Sequence, residues 1–165
     1  MILEIDDWKF DVDIAATMEY SAAEAADHCT CAYCRNFYAA VDDTYPQLRR
    51  FLAQFGLDIE APDELIPYEP TECEAYYAVG GRILKQGSGP FVVDGLTLFP
   101  QQAQEAMVNT RIGVPFFFLL AGLMHLPWVL SEPMEDVESP ANLPSFLKRM
   151  WDRLLNRQPK GKFPT

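Results

Sequence analysis

The stretch from Gly113 to Leu130 constrains the fold more than any other. Its 18 residues carry one ionisable side chain, His125. A run of that length just reaches what a membrane-spanning helix needs, about 20 apolar residues. Pro115, Gly122 and Pro127 interrupt it, and Glu132, Glu135 and Asp136 follow at once. The interruptions favour buried β-structure, and we expect two strands joined near Ala121-Gly122 rather than a membrane span. His125, inside this stretch, reads as a core or hairpin histidine.

A chain that buries such a segment needs more sheet around it, and the sequence supplies it. Trp8, Phe10, Val12 and Ile14 alternate with Lys9, Asp11 and Asp13, the period-two pattern of a strand with one buried face. Runs at Tyr76 to Leu84, Phe91 to Val93 and Leu96 to Phe99 are rich in aromatic and β-branched residues. Asp94-Gly95 between the last two predicts a hairpin, and Gly80-Gly81 inside the first reads as a bulge. Helical spacing appears at Phe37, Tyr38 and Val41, and again after Tyr45-Pro46 at Leu48, Phe51, Leu52 and Phe55, stopped by Gly56. Residues 15 to 27, rich in Ala and Glu, allow a short helix. Between Asp58 and Glu72 three prolines and several acids suggest an extended surface connection. The acidic pairs Asp6-Asp7 and Asp42-Asp43 and the stretch Glu69 to Glu74 read as solvated surface.

The fold expected is α+β: an N-terminal strand, two helices, an antiparallel sheet and an amphipathic C-terminal helix. With 165 residues, 49% of them hydrophobic, one domain can bury a core without disulfides. We place that domain at 1–140 and a basic amphipathic C-terminal helix and tail at 141–165. There Phe146, Leu147, Met150, Trp151, Leu154 and Leu155 share a face, and residues 148 to 165 hold six Lys or Arg against one Asp.

Charge excludes one class of partner. The net charge of −11 opposes a phosphate backbone, because nucleic-acid affinity rests on Lys and Arg displacing counterions. An acidic surface suits a basic protein partner, as an inhibitor or immunity protein has. The first residues lack the basic and apolar regions of an export signal, so a cytoplasmic location is expected. No P-loop, Gly-x-Gly-x-x-Gly, Gly-x-Ser-x-Gly or His-Glu-x-x-His is present, and two histidines leave little for imidazole catalysis.

Chemistry concentrates in His28-Cys29-Thr30-Cys31-Ala32-Tyr33-Cys34. In a reducing compartment clustered thiols bind metal or cycle between redox states. Zinc takes four soft or borderline ligands in a tetrahedron, and Cys31-x-x-Cys34 has the spacing that supplies two from one turn. Cys29 adds a third thiol; Cys73 or His28 is available as a fourth ligand. A helix starting near Cys34, with Arg35 beside it, is expected to lower the Cys34 thiol pKa. The metal set expected is therefore Cys29, Cys31, Cys34 and Cys73, with zinc as the ion, in a non-enzymatic protein that acts through a protein partner. Two alternatives remain: a thiol-disulfide oxidoreductase using Cys31 as nucleophile and Cys34 as resolving thiol, and reduced cysteines that only pack.

Cys31-Ala32-Tyr33-Cys34 resembles the Cys-x-Tyr-Cys site of glutaredoxins and, more loosely, that of thioredoxins. In those families the motif follows a strand directly and an X-Pro loop approaches it. Here residues 15 to 27 intervene, and Cys29 lies outside the pattern. A wider resemblance covers Cys29 to Pro133. Cys-x-Cys-x-x-Cys-Arg-Asn-Phe-Tyr, then Phe-Gly-Leu-Asp-Ile-Glu-Ala-Pro-Asp-Glu and Leu-Pro-Trp-Val-Leu-Ser-Glu-Pro, is similar to a group of bacterial proteins without an assigned activity. The resemblance implies a shared site and names no function.

Overall fold

The apolar run is one strand, and it sits in the middle of a sheet. In a computed structural model, which describes residues 1–27, 29–106 and 108–134, the chain runs β1 (Ile2–Ile5), β2 (Trp8–Val12), α1 (Ile14–Ala26), α2 (Ala32–Thr44) and α3 (Pro46–Ala53). It continues through β3 (Glu64–Glu69), β4 (Glu72–Lys85), β5 (Phe91–Val93), β6 (Leu96–Gln102) and β7 (Phe116–His125). The strands form a seven-stranded sheet in the order β1-β2-β4-β7-β6-β5, with β3 also paired to β4. Every pairing is antiparallel. This is the α+β layout expected. The helix expected from Phe146 to Leu155, with the rest of the basic tail, lies outside the described residues, as does His28.

β7 corrects the expectation of two strands joined near Ala121-Gly122. The chain continues through Gly122 as one strand: up to Ala121 it pairs with β4 on one side and β6 on the other, and its register with β4 then shifts by one residue before Met124. Its residues are apolar without alternation because both faces are covered. Phe117, Leu119 and Ala121 face the main core, with Phe37, Val41, Leu48, Leu52 and Phe55 from α2, α3 and the turn after them. Phe118 and Leu120 face the other side with Tyr76 and Ala78, under Tyr20, Val108 and Ile112. Among the described residues no helix is long and apolar enough to cross a membrane.

β3 is a second correction. The segment expected as a surface connection pairs over Glu64–Glu69 with the first half of β4, and Pro67 stands opposite Cys73. Pro67 is tolerated because β3 is an edge strand, paired with β4 alone. β2 pairs with the other half of β4; β2 and β3 thus share one edge of that 14-residue strand. At the changeover Gly81 adopts φ +133, and a Cβ there would meet the Asp11 carbonyl oxygen at 2.0 Å. Only glycine allows that approach.

The helix starts show why α1 and α3 stand where they do. Asp13, exposed after β2, caps α1 by accepting a hydrogen bond from the Ala16 N–H. At α3 the N-cap is Tyr45, which makes no side-chain cap. The capping oxygen comes from Asp94 in the β5–β6 turn, whose carboxylate accepts from the N–H groups of Gln47 and Leu48 at 2.7 and 2.9 Å. Asp94 and Gly95 have φ +51 and +78, the left-handed pair of a two-residue hairpin. One turn thus reverses the chain and fixes a helix.

Candidate metal centre

The cysteine cluster sits where the helix begins. Cys31 is the N-cap of α2, in extended conformation, and its side chain makes no capping bond. Cys34 falls three residues on. The side chains at these two positions converge, as the reciprocal bonds of a capping box show. Cys29 folds back from the preceding loop. The Sγ atoms of Cys29, Cys31 and Cys34 all lie within 4.8 Å of one another. Four sulfurs at about 2.3 Å from a tetrahedral zinc are roughly 3.8 Å apart, so this trio needs only small adjustments to share one ion.

The thiols are not equivalent. Cys29, exposed, has its pKa lowered, first by the Cys31 backbone N–H and then by hydrogen bonds from the Cys31 and Cys34 thiols. Cys34 departs from the sequence expectation. Partial burial, followed by its proximity to Cys31 and Cys29, pushes its pKa up. The helix start does not prevail over desolvation there. Arg35, expected to help, points away: its Nε donates to the Thr30 carbonyl at 3.0 Å, and its guanidinium pairs with Glu132. Tyr38, one turn beyond Cys34, hydrogen-bonds the Cys34 thiol and the Cys29 backbone; burial, then Cys34, raises its pKa.

Cys73 lies on the core face of β4, buried, with its pKa pushed up to about 12 by burial and then by Glu74. It is not part of the three-thiol group, but it lines the same cavity as Cys31 and Cys34. That cavity of about 160 Å³ separates the head of α2 from the β3–β4 hairpin. His125 is not a core residue: its side chain is 64% exposed and its Nδ1 lies 3.1 Å from Glu72. Tyr45 instead uses its hydroxyl to bond the His125 backbone, donating to the carbonyl and accepting from the N–H.

What residue reading missed is the frame that holds the cluster. Asn36 is 2% exposed. Its Nδ2 donates to the Pro127 carbonyl at 3.0 Å and its Oδ1 accepts from the Val129 N–H at 2.8 Å. Tyr33 meets Trp128 edge to face at 6.2 Å, and the Trp128 indole donates to the Glu132 carbonyl. The Arg-Asn pair after Cys34 is thus bolted to Leu-Pro-Trp-Val-Leu-Ser-Glu. The signal that could have found this was present: two unusual polar and aromatic clusters, each without local use.

Another buried network lies elsewhere. Asp63, before β3, accepts from the Tyr20 hydroxyl and the Ala78 N–H, both at 2.6 Å, and burial raises its pKa. Thr110 donates to the Tyr20 hydroxyl at 2.8 Å. These bonds tie α1, β4 and the β6–β7 connection together, which is a structural task.

The cysteine motif differs from the glutaredoxin arrangement in its approach, since it follows α1 and a loop rather than a strand. No protein-family model, curated protein or solved structure matches the chain.

Proposed function

We propose that Cys29, Cys31 and Cys34 hold one soft divalent ion as thiolates, zinc being the ion that three thiols at tetrahedral spacing suit best. The mutual approach of the three sulfurs within 4.8 Å carries this reading. A bound ion would draw the loop before α2 onto the first turn of the helix. That turn is already locked to residues 127–132 through Asn36, Tyr33 and Arg35. The ion's work in this reading is structural: it joins the loop before α2 to the head of that helix. Cys73 lies outside the trio and lines the cavity with Cys31 and Cys34, where it is the protein's own candidate for a fourth donor.

On this reading the protein acts by binding another protein, in the manner of an inhibitor or immunity protein. Its support is the charge of −11, which favours a basic partner and speeds encounter.

Metal analysis tests the centre. Protein purified without added metal should carry close to one zinc per chain, with three thiols unreactive until a chelator is added. Zinc-free protein whose exposed thiols all titrate at once overturns the proposal.

The thiol-disulfide reading draws on the same proximity, since Cys31 and Cys34 hydrogen-bond each other. It requires a reversible Cys31–Cys34 disulfide. Mass analysis after mild oxidation and alkylation decides it: recovery of both thiols free removes that reading.

A further inference from the structure

We infer that the ion held by Cys29, Cys31 and Cys34 keeps an exchangeable fourth position that opens into the cavity behind the cluster, and that this position takes a small uncharged nitrogen heterocycle. The inference rests on the metal reading above and adds a ligand to it.

Three observations combine. First, three thiolates leave one corner of a tetrahedron unfilled, and sites with three protein ligands are those that admit an outside group. Among the described residues no fourth Cys, His, Asp or Glu joins the trio at ligand spacing. Second, Cys31 and Cys34 line the cavity and Cys29 does not. An ion shared by the three would border the cavity on the side that Cys31 and Cys34 line. Third, the size and lining select the occupant. About 160 Å³ is close to the roughly 150 Å³ that admits one benzene ring in a protein interior. Phe37, Leu65, Pro67 and Leu126 provide apolar wall, and Tyr33 an aromatic one.

Charge narrows the donor. Three thiolates on a divalent ion leave a net charge of −1, and Glu69 and Glu72 also border the cavity. A thiolate or carboxylate ligand would add like charge in a poorly solvated place. A neutral ring nitrogen adds none, and its carbon edge packs on the apolar wall. An imidazole-sized heteroaromatic meets both demands.

Cobalt(II) in place of zinc makes the site visible, because its absorption reports the number of thiolates and any change in the fourth ligand. The full chain loaded with cobalt should shift its visible bands on titration with imidazole, saturably. 2-Phenylimidazole, too large for the cavity, should produce no shift. Cys73→Ser should leave the thiolate-to-cobalt absorption unchanged, and Leu65→Trp should bind one cobalt and lose the imidazole response. Leu65→Phe serves the same end if the larger ring impairs folding. Loss of about one thiolate's share of absorption in Cys73→Ser overturns the inference, since Cys73 then fills the position. So does an imidazole titration without a shift, or an equal response to both heterocycles. Failure of the chain to bind cobalt at all overturns the metal reading itself.

Discussion

Asn36 holds Val129 and Pro127 at once, accepting from one backbone N–H and donating to the carbonyl two residues before it. An amide side chain buried to 2% exposure is tolerable only when both ends are satisfied, and here the two partners lie on a segment more than ninety positions along the chain. The bond pair fixes where the head of α2 lies against the segment that follows β7, and so where the cysteines sit.

Asn36→Leu should therefore cost about 2–4 kcal/mol, the sum of two part-buried backbone groups left without partners. Denaturant unfolding of the wild type and variant measures it. A loss below about 0.5 kcal/mol would mean water replaces the amide. Zinc affinity should fall with it by about 10- to 100-fold, as for groups that orient ligands without touching the ion.

Arg35 and Glu132 make the contrasting case. Their side chains are 46% and 39% exposed, and exposed ion pairs contribute about 0–1 kcal/mol. Arg35→Met should leave stability nearly unchanged, and salt should erase what difference there is. Thermal unfolding at low and high ionic strength is the check.

Each single change of Cys29, Cys31 or Cys34 to Ser should weaken zinc binding by more than about 100-fold, beyond the effect of removing an orienting group. Competition with a chelating dye reads this directly. Binding should strengthen as pH rises, because every ligand must shed a proton; the raised pKa of Cys34 carries that dependence to higher pH.

Asp63 gives the metal-free protein a pH signature of opposite character to an ordinary paired carboxylate. Burial raises its folded pKa, so the folded state holds the proton more tightly than the unfolded chain. Its contribution to stability is complete below the unfolded value of about 3.9 and is lost as pH rises through the raised folded value. Asp63→Asn, which keeps one acceptor oxygen, should remove this part of the slope. Glu64 and Glu74, also raised by burial, would leave a residual slope. Chemical unfolding at steps between pH 4 and 7 tests it; identical slopes in wild type and variant would show that Asp63 is solvated.

Removing the Asp94 carboxylate should cost more than a turn substitution alone suggests. It caps α3 from a distant hairpin, and loss of a cap costs about 0.5–2 kcal/mol. Asp94→Asn, which retains an acceptor and tolerates positive φ, should recover most of the loss that Asp94→Ala shows.

Local patterns carried much of the architecture. The alternation at Trp8 to Val12, the helical spacing through Phe37 to Phe55, the stop at Gly56 and the Asp94-Gly95 turn were all legible, because each depends on residues close in the chain. The same is true of the candidate ligands Cys31 and Cys34, whose convergence needs one helical turn, and of Cys29 beside them. Tertiary structure decided the rest. Gly113 to Leu130 could not reveal a single strand, because a run covered on both faces has no alternation to read. Glu64 to Glu69 looked like a connection because pairing with β4, not its own propensity, makes it a strand. His125, read as a core or hairpin histidine, is exposed because the register of β7 shifts between Ala121 and Met124, which brings Met124 rather than His125 onto the core face. The Cys34 thiol rose in pKa where its neighbours in sequence suggested a fall, because burial is set by the packing of the whole chain. And the union of Asn36 with Val129, like the cavity that parts Cys73 from the other thiols, exists only once distant segments meet.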